Sequence, residues 1–263
     1  MKTVFSILVL LISPTLSIAQ EKIDFVIKYI PETNYQFSIS QISTYTVSDK
    51  SSDAESISPQ VSKDSLTLRY LAITKKKEKN GIPLTIELID SISGNLDVGT
   101  RFYGKTMEEK IEIDSISTHD NHTSSNKILL DAVQSMLNQV EFPSQEAKIG
   151  VDFTHDTILS FSNGPFPIDI NVQSKYLLTK IEDGYGYFDI HRNYYLETES
   201  NGLELNVVGL GNGNLTYDIE NNFYSESEFS FELEMALKME EIEIETLVES
   251  ISKTTTKINK ASR

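Results

Sequence analysis

The chain reads as a mainly β protein, a large curved antiparallel meander or two β lobes with one central helix. Three observations predict this. Apolar residues alternate with polar ones over long stretches. Asn-Gly and Asp-Gly pairs, which suit turns needing positive φ, punctuate those stretches. A single segment near the middle of the 263 residues places its apolar side chains at helical spacing instead.

The first residues, MKTVFSILVLLISPTLSIAQ, carry Lys2, an apolar run from Val4 to Ile12, then Pro14 and the small residues Ser17 and Ala19. This is the pattern of a secretory signal peptide over 1–19, with cleavage between Ala19 and Gln20. Ser6, Ser13, Pro14 and Thr15 keep the run well short of the roughly 18 apolar residues a membrane-crossing helix needs, so no transmembrane segment is expected. The remainder, 20–263, is read as an antiparallel β domain, or as two β lobes over 20–118 and 141–263.

Strands come first. Leu66, Leu68 and Tyr70 alternate, as do Leu84, Ile86 and Leu88, and Asn80-Gly81 supplies a turn between them. Before them, the stretch from Val47 to Pro59 is rich in serine and acid, lacks periodicity and reads as a surface loop. The helix is expected near 126–140, where Leu129, Val133, Met136, Leu137 and Val140 share a face, Ser124 or Ser125 offers an N-cap and Pro143 lies beyond the end. It could link two sheets or plug the concave side of one.

Alternation resumes at Ile168, Ile170 and Val172 and continues through Tyr176 and Leu178 to a hairpin at Asp183-Gly184. The stretch GLGNGN, 209–214, invites a phosphate-loop reading. The dinucleotide fingerprint, however, requires Gly at 214, where Asn stands, and a following helix, whereas Leu215, Tyr217 and Ile219 alternate. A turn or bulge between strands is expected there. The longest alternation is Phe229, Phe231, Leu233, Met235, Leu237 and Met239, after which the apolar phase moves to Ile242, Ile244 and Val248; a turn is expected at Glu240-Glu241.

Composition excludes several functions. There is no Cys, so disulfides, zinc ribbons, thiol chemistry and a lipidated N-terminal cysteine are out. With 39 acidic against 23 basic residues, a net charge of −16, nucleic acid is not a partner. The histidines offer little. His119 and His122 flank Asp120 in a polar stretch without a third ligand, and His155 and His191 lie near strands. Nucleophile motifs are absent, and among so many carboxylates no glycosidase pair stands out. No catalytic, cofactor-binding or metal residue is assigned and no cofactor is expected; a hydrolase, with His191 or Asp152 as the residues to mutate, is the weakest of three readings.

The order of elements resembles an uncharacterised, signal-bearing family of β proteins of the Bacteroidota, a domain of unknown function. The likeness rests on ILLDAVQSMLNQVEF running into FPSQEAKIGVDF, the hairpin at Asp183-Gly184, the segment GNGNLTYD (211–218) and the Met-rich alternating strand. Val151 departs from it by separating Gly150 from Asp152, where the family places an acid directly after the glycine. More loosely, the chain is similar to the curved half-barrels that carry lipoproteins or lipids across the periplasm. These resemblances imply an architecture and an envelope address, and no catalytic residues.

The pattern Asp, hydroxyl, apolar recurs at Ser65, Ser91, Ser115 and Thr157 and resembles the O-glycosylation motif of exported Bacteroidota proteins; turn chemistry at strand ends would place the same residues there. The expected function is an exported, periplasmic rather than extracellular, non-catalytic binding module. Its ligand would be apolar, a lipid or a lipidated partner, held against Phe229, Phe231, Leu233, Met235 and Met239. The alternative is a structural or protein-interaction component of the envelope without a small ligand.

Overall fold

Alternation this long and this regular has one stable outcome, strands that bury one face, and the computed structural model is built of them. It describes residues 21–51, 58–91, 98–107, 110–117, 130, 133–134, 143–161, 168–200 and 203–260. In chain order the strands are β1 (Lys22–Phe25), β2 (Thr33–Asp49), β3 (Gln60–Thr74), β4 (Ile82–Ser91), β5 (Arg101–Met107), β6 (Lys110–Ser117), β7 (Gln145–Lys148), β8 (Asp152–Phe161), β9 (Ile168–Glu182), β10 (Tyr185–Ser200), β11 (Leu203–Asp218), β12 (Phe223–Met239) and β13 (Ile242–Lys260).

Eleven of these form one antiparallel sheet in the order β6-β5-β4-β3-β2-β13-β12-β11-β10-β9-β8. It consists of two meanders joined where β2 pairs with β13, from Thr33 opposite Lys260 to Asp49 opposite Ile244. The two strand-rich halves therefore share a single sheet. β1 and β7 pair separately as a short ribbon. Among the described residues no helix is long and apolar enough to cross a membrane.

The turns fall where glycine and acid place them. Asp183 and Gly184, between β9 and β10, have φ of 52° and 82°, the left-handed pair that suits the twist of a two-residue hairpin. Glu240 (φ 51°) and Glu241 join β12 to β13, so the apolar phase changes there as expected. β2 runs on to Asp49, so the loop expected from Val47 begins later.

Two expectations are corrected. The helix near 126–140 is not borne out: only Leu130, Val133 and Gln134 of that stretch are described, too few to define an element. Val133 is buried in the core, and the Gln134 side chain bonds the β6 backbone, accepting from Ile113 N and donating to Ile111 O, both at 2.8 Å. GLGNGN is no turn either, because β11 runs through it without a break. Gly209, Gly211 and Gly213 face the interior opposite Leu233, Phe231 and Phe229 of β12. A Cβ at Gly211 would lie 2.6 Å from Phe229 Cζ, and one at Gly213 would lie 2.4 Å from both Phe229 Cδ2 and Glu228 O. The glycines make room for the rings of the next strand.

The sheet has an inner face, apolar and buried, and an outer face carrying the charges. The Phe25 ring centroid lies 6.2, 5.9, 4.5 and 5.1 Å from Phe153, Tyr176, Phe188 and Tyr217, on the consecutive strands β8, β9, β10 and β11. Four strands span roughly 14 Å at about 4.8 Å each, so the rings of all four lean toward one neighbour and together form a concave aromatic seat for Phe25 on the inner face. Residues 21–30 fill this concavity at the Asp183–Gly184 end of the sheet. Tyr217 Oη holds them, donating to Val26 O at 2.8 Å and accepting from Val26 N at 3.3 Å, while Tyr35 Oη accepts from Ile30 N at 2.6 Å.

Candidate functional site

Residues 21–30 cover only one end of the inner face. Toward the Glu240–Glu241 end, β12 turns Phe229, Phe231, Leu233, Met235 and Met239 inward, as its alternation predicts. Phe229 and Leu233 are buried, Phe231 and Met235 half-buried, and Met239 is 44% exposed at the rim beside Ile242 at 46%. Leu205 of β11, Leu237 of β12 and Ile244 of β13 form one cross-strand row there, each half-buried. This end of the inner face is thus an apolar trough that still meets solvent.

The two ends differ in hydration. At the filled end, burial pushes the phenols of Tyr29, Tyr70 and Tyr224 well above their ordinary range and that of Tyr35 up to about 12. Rings there pack on one another, as Phe37 on Tyr70 with centroids 4.5 Å apart and Tyr35 on Phe223 at 5.0 Å.

Between filled end and trough lies a polar row. Register places His155 (β8), Ser174 (β9), Arg192 (β10), Gly211 (β11), Phe231 (β12), Ser250 (β13) and Ser43 (β2) opposite one another in turn, all on the inner face. One end of the row is satisfied from within. Ser43 Oγ and Ser250 Oγ share a hydrogen bond at 2.9 Å, and Gln41 Nε2 donates to both at 3.1 Å. The other end is not. His155 Nε2 and Arg192 Nε are buried without hydrogen-bond partners. The Arg192 guanidinium lies over the Phe229 ring at 4.5 Å, on a ring that the missing side chain of Gly211 allows to lie close to β11. Burial raises the Tyr194 phenol, and the charge of Arg192 and a hydrogen bond to it act in the opposite sense.

The remaining candidates are scattered. His191 lies on the outer face, its Nδ1 sharing a hydrogen bond with Asn212 Oδ1 at 2.6 Å, and Asp152 pairs there with Lys175. All four side chains are exposed, and nothing about this surface assembles a hydrolytic centre. His119, His122 and the cleavage site at Ala19 and Gln20 lie outside the described residues. Ser65 and Ser115 are exposed, Thr157 is half-buried on the inner face of β8, and the Ser91 side chain lies outside the described set.

Arg192 is not among the residues the sequence singles out. It nonetheless sits in phase with Phe188, Ile190, Tyr194 and Leu196, a charge at a position whose neighbours of the same parity are apolar. That misfit is the available signal, and His155, in phase with Phe153 and Leu159, carries a weaker version of it. Compared with known protein families and with characterised proteins, the chain matches none of either. Its chemistry has to be argued from geometry.

Proposed function

We propose that the protein is an exported, non-catalytic binding module that holds an acyl chain or similar apolar ligand in the trough lined by Met235, Leu237, Leu205 and Ile244. The observation that carries the proposal is the difference between the two ends of one concave face. Residues 21–30 fill one end with aromatic contacts, while the other presents apolar side chains that remain partly open to solvent. Large apolar surface left open on a concave wall is the usual ground of ligand pockets, and unbranched methionines adapt to chains of varied shape.

An envelope address belongs to the same proposal; the leader-like residues 1–19 and the resemblance to signal-bearing Bacteroidota proteins support it. Native mass spectrometry of protein recovered from an exporting cell should find co-purifying lipid, and added fatty acid should raise the melting temperature. A clean apo mass with no gain in melting temperature favours an envelope component without a small ligand.

A further inference from the structure

Arg192 is a cation on the concave face with no anion beside it. From β8 through β13, no carboxylate shares the inner face with it among the described residues, although the chain carries 39 acidic residues. The acids of inner-face register, Asp49 of β2 opposite Ile244 and Asp64 of β3 opposite Ser43, lie four and five strands away. The ion pairs among the described residues engage other cations. A guanidinium has five donors in a fixed fork, and here its contacts are the face of Phe229, the Tyr194 side chain and an Nε left without an acceptor. Two strands away in the same row, His155 Nε2 is buried and equally unpartnered, with the buried Ser174 between them.

Buried polar atoms without partners are rare because each forfeits the hydration it had in the unfolded chain. Arg192 is half-buried as a residue, and its Nε is the atom that is cut off from both water and a partner. The contrast with the Gln41, Ser43 and Ser250 node, whose groups answer one another along the same row, indicates that an outside acceptor belongs at the Arg192 end.

We infer that this end of the row, Arg192 with His155 Nε2 and Ser174, receives the carboxylate of a single-chain fatty acid whose hydrocarbon tail lies along the trough; the inference rests on the acyl-binding reading above. The arrangement suits such a ligand in three respects. A carboxylate accepts from a guanidinium, and also from the imidazole in the tautomer that carries its proton on Nε2. The Phe229 ring holds the guanidinium at the boundary between the filled end and the open one. From Phe231, in the row, to Met239, at the rim, eight residues at about 3.4 Å each give roughly 27 Å of apolar wall, enough for a long chain. A fatty alcohol offers the same tail without the anion.

The test is calorimetric titration of the delipidated protein with dodecanoate and with dodecanol. Wild type should bind the acid roughly ten to a hundred times more tightly than the alcohol, the worth of one or two charge-assisted hydrogen bonds. Arg192→Met should erase that preference by weakening the acid alone, with retained dodecanol binding showing that the trough is intact, and Arg192→Lys should restore part of it. Equal binding of acid and alcohol by wild type, or a preference that survives in Arg192→Met, overturns the inference while leaving the acyl-binding reading standing. If neither amphiphile binds wild type, the acyl-binding reading fails and this inference with it. Should Arg192→Met lose both ligands, His155→Phe decides: a narrowed acid preference supports the site and an unchanged one overturns it.

Discussion

Removing one oxygen atom from Tyr217 tests how residues 21–30 are held in the concave face. Tyr217 is fully buried, and its hydroxyl donates to Val26 O at 2.8 Å, accepts from Val26 N at 3.3 Å, and lies 3.2 Å from both Asp24 O and Asn222 Oδ1. One hydroxyl proton serves one acceptor well, and the shortest contact identifies it as Val26 O. Tyr217→Phe keeps the ring and its edge contact with Phe25 at 5.1 Å, so the loss is confined to hydrogen bonding. The donated bond is worth about 1 kcal/mol net, and leaving the Val26 N–H without an acceptor in buried surroundings costs about 1–3 kcal/mol more. The bond from Val26 N is long, which favours the lower part of that range, and a total of about 2–3 kcal/mol follows. Denaturant unfolding should show that loss at unchanged slope, and hydrogen exchange at the Val26 amide should accelerate ahead of the amides in β12 and β13. A loss below about 0.5 kcal/mol with Val26 protection unchanged would refute the idea that this hydroxyl anchors the segment.

Two further outcomes follow from packing and burial. Gly213→Val should cost about 1–3 kcal/mol through overpacking, because its Cβ would meet Phe229 Cδ2 and Glu228 O, both at 2.4 Å; a variant as stable as wild type in thermal melts would mean that Phe229 has freedom the packing denies it. Alkaline pH should destabilise the fold. The phenols of Tyr29, Tyr35, Tyr70 and Tyr224 are raised by burial, that of Tyr35 to about 12. Protons therefore leave the unfolded chain first, and the stability these groups contribute is complete below about pH 10 and lost as pH rises toward and through the folded values. Tyrosinate absorbance should rise together with loss of β structure above that pH, and titration of these phenols in a protein still fully folded would contradict their burial.

Local chemistry made much of the fold legible. Side-chain alternation is a property of a single strand, so the apolar faces of β3, β4, β9 and β12 can be read before any pairing is known. Turn residues act over four positions, which is why Asp183-Gly184 and Glu240-Glu241 fall where expected. The correction at GLGNGN is instructive on the same ground. Leu203, Leu205 and Val207 share their parity with Leu215 and Tyr217, so the strand runs straight through the glycines; composition suggested a turn and phase contradicted it.

The sequence by itself determined the β class, the division of most strands into an inner and an outer face, and the exclusion of cysteine chemistry, all of which depend on residue type or on neighbours a few positions away. Only the tertiary structure decided which side chains meet. His155, Ser174 and Arg192 lie far apart in the chain and share one row because β8, β9 and β10 pair in one register, and a slip of one residue would send Arg192 to the outer face among the charges. The closure of two meanders into one sheet through β2 and β13, and the choice of residues 21–30 to fill one end of it, were likewise set at long range. Those contacts are won by the joint burial of many side chains from distant segments, and no local pattern records them.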